Sequence, residues 1–123
     1  MKQGKVWGKT ESLLVTPMIE VHRINVEPGM KCSIHKHEHK WNMFYCISGA
    51  IDIHVQKNDY DLTDVTTLKS GEYTTVPPGE WHWFETNTMG AWEVRKQTEV
   101  LEIYYLEPIS SDIIRKTVGG IVE

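Results

Sequence analysis

The chain has 123 residues, a formal net charge of -4 and 40% hydrophobic residues, which suits one modest core of single-domain size. The acidic balance gives no electrostatic reason to expect nucleic acid, and no apolar run approaches the roughly 18 to 20 residues that cross a bilayer. The first residues, MKQGKVWGK, lack the apolar centre of a signal peptide, so the cytoplasm is the expected compartment.

From the amino terminus onward the pattern is short extended runs separated by turn residues. Strands are expected over Leu13 to Val15, Met18 to Val26, Lys31 to His37, Met43 to Ile47 and Ala50 to Gln56. Further strands are expected over Asp64 to Leu68, Tyr73 to Val76, His82 to Thr86 and Val100 to Leu106. Turns fall at Glu27-Pro28-Gly29, Ser48-Gly49, Lys57-Asn58-Asp59, Ser70-Gly71 and Pro77-Pro78-Gly79. Ser110 to Glu123 reads equally as a short helix or a loose tail. Strands of this length and spacing point to an all-β sandwich or barrel.

Alternation assigns faces. Ile51, Ile53 and Val55 form one apolar face, leaving Asp52, His54 and Gln56 on the other, so His54 reads as a surface residue. His22 reads as structural or exposed. His82 and Phe84 share a face, opposite Trp81 and Trp83. Cys32 has the opposite parity to His35 and is expected to face away from the interior; with Cys46 it makes two reduced thiols rather than a disulfide framework.

Three histidines carry the chemical signal. His35 and His37 lie two apart on one expected strand, on one face, and His82 follows the Pro77-Pro78-Gly79 turn. Imidazole nitrogens bind divalent ions at roughly 2.0 to 2.1 Å, and three such ligands leave a position open for water or substrate. Gly29, His35, His37 and Gly49, followed by Gly71, Pro77, Gly79 and His82, resemble the two signature motifs of the cupin superfamily. Asn42 stands where that pattern has a glutamate ligand, and Thr86, with Asn87 one step later, where it has an asparagine. The resemblance implies a double-stranded β-helix, a jelly-roll-like barrel. It would be a single cupin domain over residues 1–123, with a barrel core of roughly 12–108 and a C-terminal segment 109–123.

Within that superfamily, GKVWGKTESLL, VEPGMKCSIHKHEHKWN and SSDIIRK are similar to the C-terminal cupin domain of type II mannose-6-phosphate isomerases and mannose-1-phosphate guanylyltransferases. The likeness implies a divalent ion, zinc, iron, manganese or nickel undistinguished, on His35, His37, Asn42 and His82. It also implies a phosphosugar ligand met by Lys40 or Arg95, and a homodimer. His39 shares parity with the histidine pair and Phe84 with His82, making both candidates for touching a ligand. Glu80, Glu85, Glu93 and Glu102 are candidate proton carriers by residue type alone. Three readings remain open: a phosphosugar isomerase, a three-histidine ferrous dioxygenase, and a non-catalytic module that binds a sugar or metabolite.

Overall fold

The computed structural model describes residues 1–86, 97–107 and 112–122. Its strands are β1 (Lys2–Lys5), β2 (Gly8–Val15), β3 (Ile19–Val26), β4 (Trp41–Ser48), β5 (Ala50–Gln56), β6 (Thr63–Lys69), β7 (Tyr73–Val76), β8 (His82–Glu85) and β9 (Thr98–Tyr105). They form two antiparallel sheets, in the orders β1-β2-β3-β9-β4-β7 and β6-β5-β8. The inner faces of the two sheets enclose one core of Ile24, Val26, Phe44, Cys46, Ile51, Ile53, Leu68, Val76, Phe84 and Val100, joined by Cys32.

Alternation explains which residues line that core. On β5, Ile51 and Ile53 are buried, and on β4 Asn42, Phe44 and Cys46 are buried while their neighbours are only partly covered. Register then lines up inner-face rows across the large sheet. Ser12, His22, Glu102 and Phe44 form one row, and Glu20, Tyr104, Asn42 and Val76 form the next. Polar residues therefore gather toward one end of an otherwise apolar interior.

Three expectations are corrected. Lys31 to His37 is not a continuous strand; only Lys31 and His35 make isolated bridges, to Glu85 and His82. The ladder is interrupted because the Phe84 N–H donates to Cys32 Sγ at 3.2 Å instead of to a carbonyl. That contact turns Cys32 inward, reversing the orientation expected from parity: the thiol is buried, and burial pushes it up to about 12, so it stays protonated. The amino-terminal hairpin also extends further than expected, with β1 added and β2 beginning at Gly8. Residues 112–122 form neither helix nor strand.

The Trp7-Gly8 step fixes this hairpin against the barrel. Trp7 packs edge-on against Phe84, with ring centroids 5.0 Å apart. Gly8 has φ +153, and a Cβ there would lie 1.9 Å from the Asn25 carbonyl oxygen, so the two backbones approach too closely for a side chain. Gly8→Ala should therefore cost more than about 2 kcal/mol in urea unfolding, whereas Gly4→Ala, with open space around it, should change stability by less than about 0.5 kcal/mol. Equal effects at the two positions would contradict this account of the hairpin.

Candidate metal centre

The two histidine-bearing segments are tied together by their backbones. His35 N–H donates to the His82 carbonyl at 3.0 Å and His82 N–H returns the bond at 2.8 Å, while Gly79 N–H donates to the His37 carbonyl at 2.7 Å. The Pro77-Pro78-Gly79 turn, with Gly79 at φ +85, thus hands β8 directly to the other segment. At the far end the Thr86 hydroxyl donates to the Glu27 carbonyl at 2.6 Å and accepts from Met30 N–H at 3.1 Å. Thr86 therefore fastens the turn that leads into His35.

This bracing brings His35, His37 and His82 together. One ring nitrogen from each lies within 4.8 Å of the others, and the ring centroids are 4.5 Å apart for His35 and His82 and 5.3 Å for His35 and His37. His35 Nδ1 is 2.8 Å from the Ser33 carbonyl, and His82 Nδ1 is 2.9 Å from the Glu80 carbonyl. A carbonyl only accepts, so in each ring Nδ1 carries the hydrogen and Nε2 keeps its lone pair. His37 Nε2 is buried without a hydrogen-bond partner.

The protonation states suit ligation. Burial holds His82 down to about 4, reinforced by His35 and His37 and opposed by the Glu80 carbonyl. Burial also lowers His37, with His35 and Lys40 adding to the effect and Glu20 opposing it. Both rings are therefore neutral near pH 7, the form that binds metal.

Asn42 adds a fourth polar group to the cluster. It is fully buried on β4, its Oδ1 3.1 Å from His82 Nε2 and its Nδ2 3.4 Å from the Ile103 carbonyl. The His82 lone pair thus faces an amide oxygen, and turning the amide over would set that oxygen against the Ile103 carbonyl instead. A cation satisfies both acceptors. Two donors at right angles on bonds of about 2.1 Å are about 3.0 Å apart, close to the spacing already present between Asn42 and His82.

The remaining candidates lie apart. His39 is exposed and faces Glu38, not the three rings. Lys40 is engaged by Glu20 at 2.6 Å, and this contact lowers the Glu20 carboxyl below its ordinary range. Phe84 is a buried core residue that also borders the cavity beside His35. His54 is half-buried rather than fully exposed, stacked on Trp83 with its Nε2 3.4 Å from Glu85. His22 bonds Ser12 at 3.2 Å. Glu80 pairs with Lys57 on the surface. Asn87, Glu93 and Arg95 lie outside the described residues.

Beside His35, the one member of the three-histidine cluster on its border, lies a cavity of about 300 Å³, also bordered by Tyr104, Ser12, His22, Glu102 and Lys5 among others. Glu102 is the carboxylate that residue type alone did not single out. It is buried on the inner face of β9 at a core-facing position, and burial pushes it up to about 7, with Lys5 opposing.

A family model for the cupin domain (Cupin_2) matches residues 22–95, more than half of the chain. The chain belongs to the cupin family. Among curated proteins, this cupin is 28% identical over 76 residues to a mannose-1-phosphate guanylyltransferase of Sinorhizobium fredii, covering 62% of this chain and 14% of that protein. It is 29% identical over 97 residues to one of Klebsiella pneumoniae, covering 79% of this chain and 18% of that protein. The cupin thus spans less than a fifth of the length of these relatives. Among solved structures, KdgF from Halomonas sp. superposes with a TM-score of 0.69 at 14% identity, covering 88% of this chain and 89% of that one. Oxalate decarboxylase of Bacillus subtilis also gives 0.69 at 14% identity, covering 86% of this chain and 27% of that one. These likenesses show the fold.

The carboxyl and the imidazole of this cupin imply opposite pH effects in the metal-free protein. Glu102 is raised from 4.5 to about 7, so across that interval the folded chain holds more protons than the unfolded chain and stability falls as pH rises. His82 is lowered from 6.5 to about 4, so its contribution is present above 6.5 and is lost as pH falls through 4. Glu102→Gln removes the first effect alone. The unfolding free energy of wild type minus that of Glu102→Gln should fall by on the order of 3 kcal/mol between pH 4.5 and 7 in urea titrations; a difference independent of pH would contradict the burial of this carboxyl.

Proposed function

We propose that this cupin holds a divalent ion on His35, His37 and His82, with the Asn42 amide oxygen as a fourth donor, and isomerises a phosphosugar bound in the adjoining cavity. The observation that carries this reading is Glu102, a buried carboxyl bordering the same cavity as His35 and held near neutrality. A proton carrier works best when its pKa lies near the operating pH, because both of its forms are then available. The match to two mannose-1-phosphate guanylyltransferases supports a sugar-phosphate ligand.

In this reaction the Glu102 carboxylate takes the hydrogen on C2 of the open-chain sugar as a proton and returns it to C1, while the hydroxyl proton of O2 passes to O1. Aldose becomes ketose, with atoms and electrons balanced and no external oxidant. A bound dication would polarise the sugar oxygens, and zinc, iron, manganese and nickel all suit imidazole donors. Asn42 and the three histidines contribute no negative charge, which leaves the ion's full charge available to an anionic ligand.

That same neutral donor set favours a second reading, a ferrous dioxygenase acting on a thiol or diketone. The test is conversion of mannose 6-phosphate to fructose 6-phosphate by protein loaded with each ion in turn, run beside oxygen uptake with iron and a thiol or diketone panel. Glu102→Gln should retain metal and lose about 100-fold or more in turnover, His82→Ala should lose both, and Asn42→Glu should bind metal more tightly. Activity in wild type should rise with pH through about 7 as Glu102 ionises. Metal-loaded protein that isomerises nothing while consuming oxygen would replace the first reading with the second, and silence in both assays would leave a binding module.

A further inference from the structure

One wall of the cavity is built by the amino-terminal hairpin. Gln3 and Lys5 from β1 and Thr10 and Ser12 from β2 border it. The register pairs Gln3 with Thr10 and Lys5 with Gly8, so β1 runs along the rows next to that of Ser12, His22 and Glu102, and the Lys5 ammonium reaches far enough along the cavity to oppose the raised pKa of the Glu102 carboxyl. Among the described residues bordering the cavity, Lys5 is the only lysine or arginine. Lys40, the cation that the family resemblance points to, is already bound to Glu20 at 2.6 Å, and Lys36, between the two histidines, lies over the Trp81 ring.

We propose that this cavity is a subsite for a small hydroxylated ligand carrying a phosphate, with Lys5 meeting the anion and Glu102 hydrogen-bonding a hydroxyl beside it. The inference rests on the phosphosugar reading above and assigns its anion recognition to β1 rather than to Lys40. Three features converge on it. At about 300 Å³ the cavity is at the small end of the range for ligand sites. Its border combines an ammonium that pairs with no carboxylate among the described residues with amide and hydroxyl groups. Burial raises the carboxyl that also borders it to about 7, so its protonated form is available to donate a hydrogen bond beside an anion. No residue proposed as a metal ligand takes part in the discrimination.

The test is calorimetric titration of manganese-loaded protein with mannose 6-phosphate, uncharged mannose and inorganic phosphate, with metal content measured on every sample. Wild type should prefer mannose 6-phosphate to mannose. Lys5→Ala and Lys5→Gln should each weaken the phosphosugar about tenfold, leave mannose and metal content unchanged, and retain the wild-type unfolding midpoint because Lys5 is exposed. Glu102→Leu, which removes the donor, should weaken both sugars and leave inorganic phosphate unchanged. Lys9→Ala, also on the hairpin but outside this cavity, should change nothing. Equal affinity of wild type for charged and uncharged sugar, no binding of either, or unchanged affinity in both Lys5 variants would overturn the subsite. Binding that depends on Lys5 and persists in metal-free His37→Ala would keep the subsite while removing the metal from its chemistry.

Discussion

The site depends on where two imidazole hydrogens are held. His35 and His82 each donate Nδ1–H to the carbonyl two residues earlier, and this fixes both tautomers with Nε2 lone pairs free. Ligating histidines are commonly oriented in this way by a partner on the other ring nitrogen. The reciprocal backbone bonds between His35 and His82 and the Gly79 bond to His37 place the rings; the Nδ1 bonds decide what they present. The outcome is a cluster of acceptors in a buried place with too few donors, an arrangement that a cation resolves.

Charge follows the same logic across the cavity. Burial keeps His37 and His82 neutral and raises Glu102 to about 7, so of these groups only Glu102 changes charge near neutrality, with the Lys5 cation at the cavity border. Glu20, which would place a second carboxylate on the inner face, is neutralised by Lys40 and approached by His22 at 3.5 Å. A dication and an anionic ligand would therefore meet few competing charges, and in a low-dielectric setting each remaining interaction counts for more than it would in water.

Much of this was legible in the sequence. The spacing of two between His35 and His37 survives because it needs only local extended backbone, even though the long strand around it does not form. The same parity rule failed at Cys32, where an Sγ contact with the Phe84 amide breaks the ladder, and no residue pattern announces that contact. Glu102 was hidden because β9 is apolar on both faces: Leu101 and Ile103 alternate with Val100 and Tyr104, so period two could not say which side faced inward. Its signal was a carboxylate inside an otherwise apolar run, readable only once register sets it beside Phe44 and His22. The β1 strand was missed because MKQGK is polar throughout and exposed on pairing; its role follows from the Gly8 approach to Asn25, which is a tertiary fact.

Elemental analysis of protein purified anaerobically, without a histidine tag or chelator, tests the convergence of the three lone pairs most directly when wild type is compared with His35→Ala. The account predicts near-stoichiometric divalent metal in wild type and its loss in the variant, with the unfolding transition of the variant still cooperative. Wild-type protein that carries no metal and takes up none of zinc, iron, manganese or nickel when these are added would contradict it.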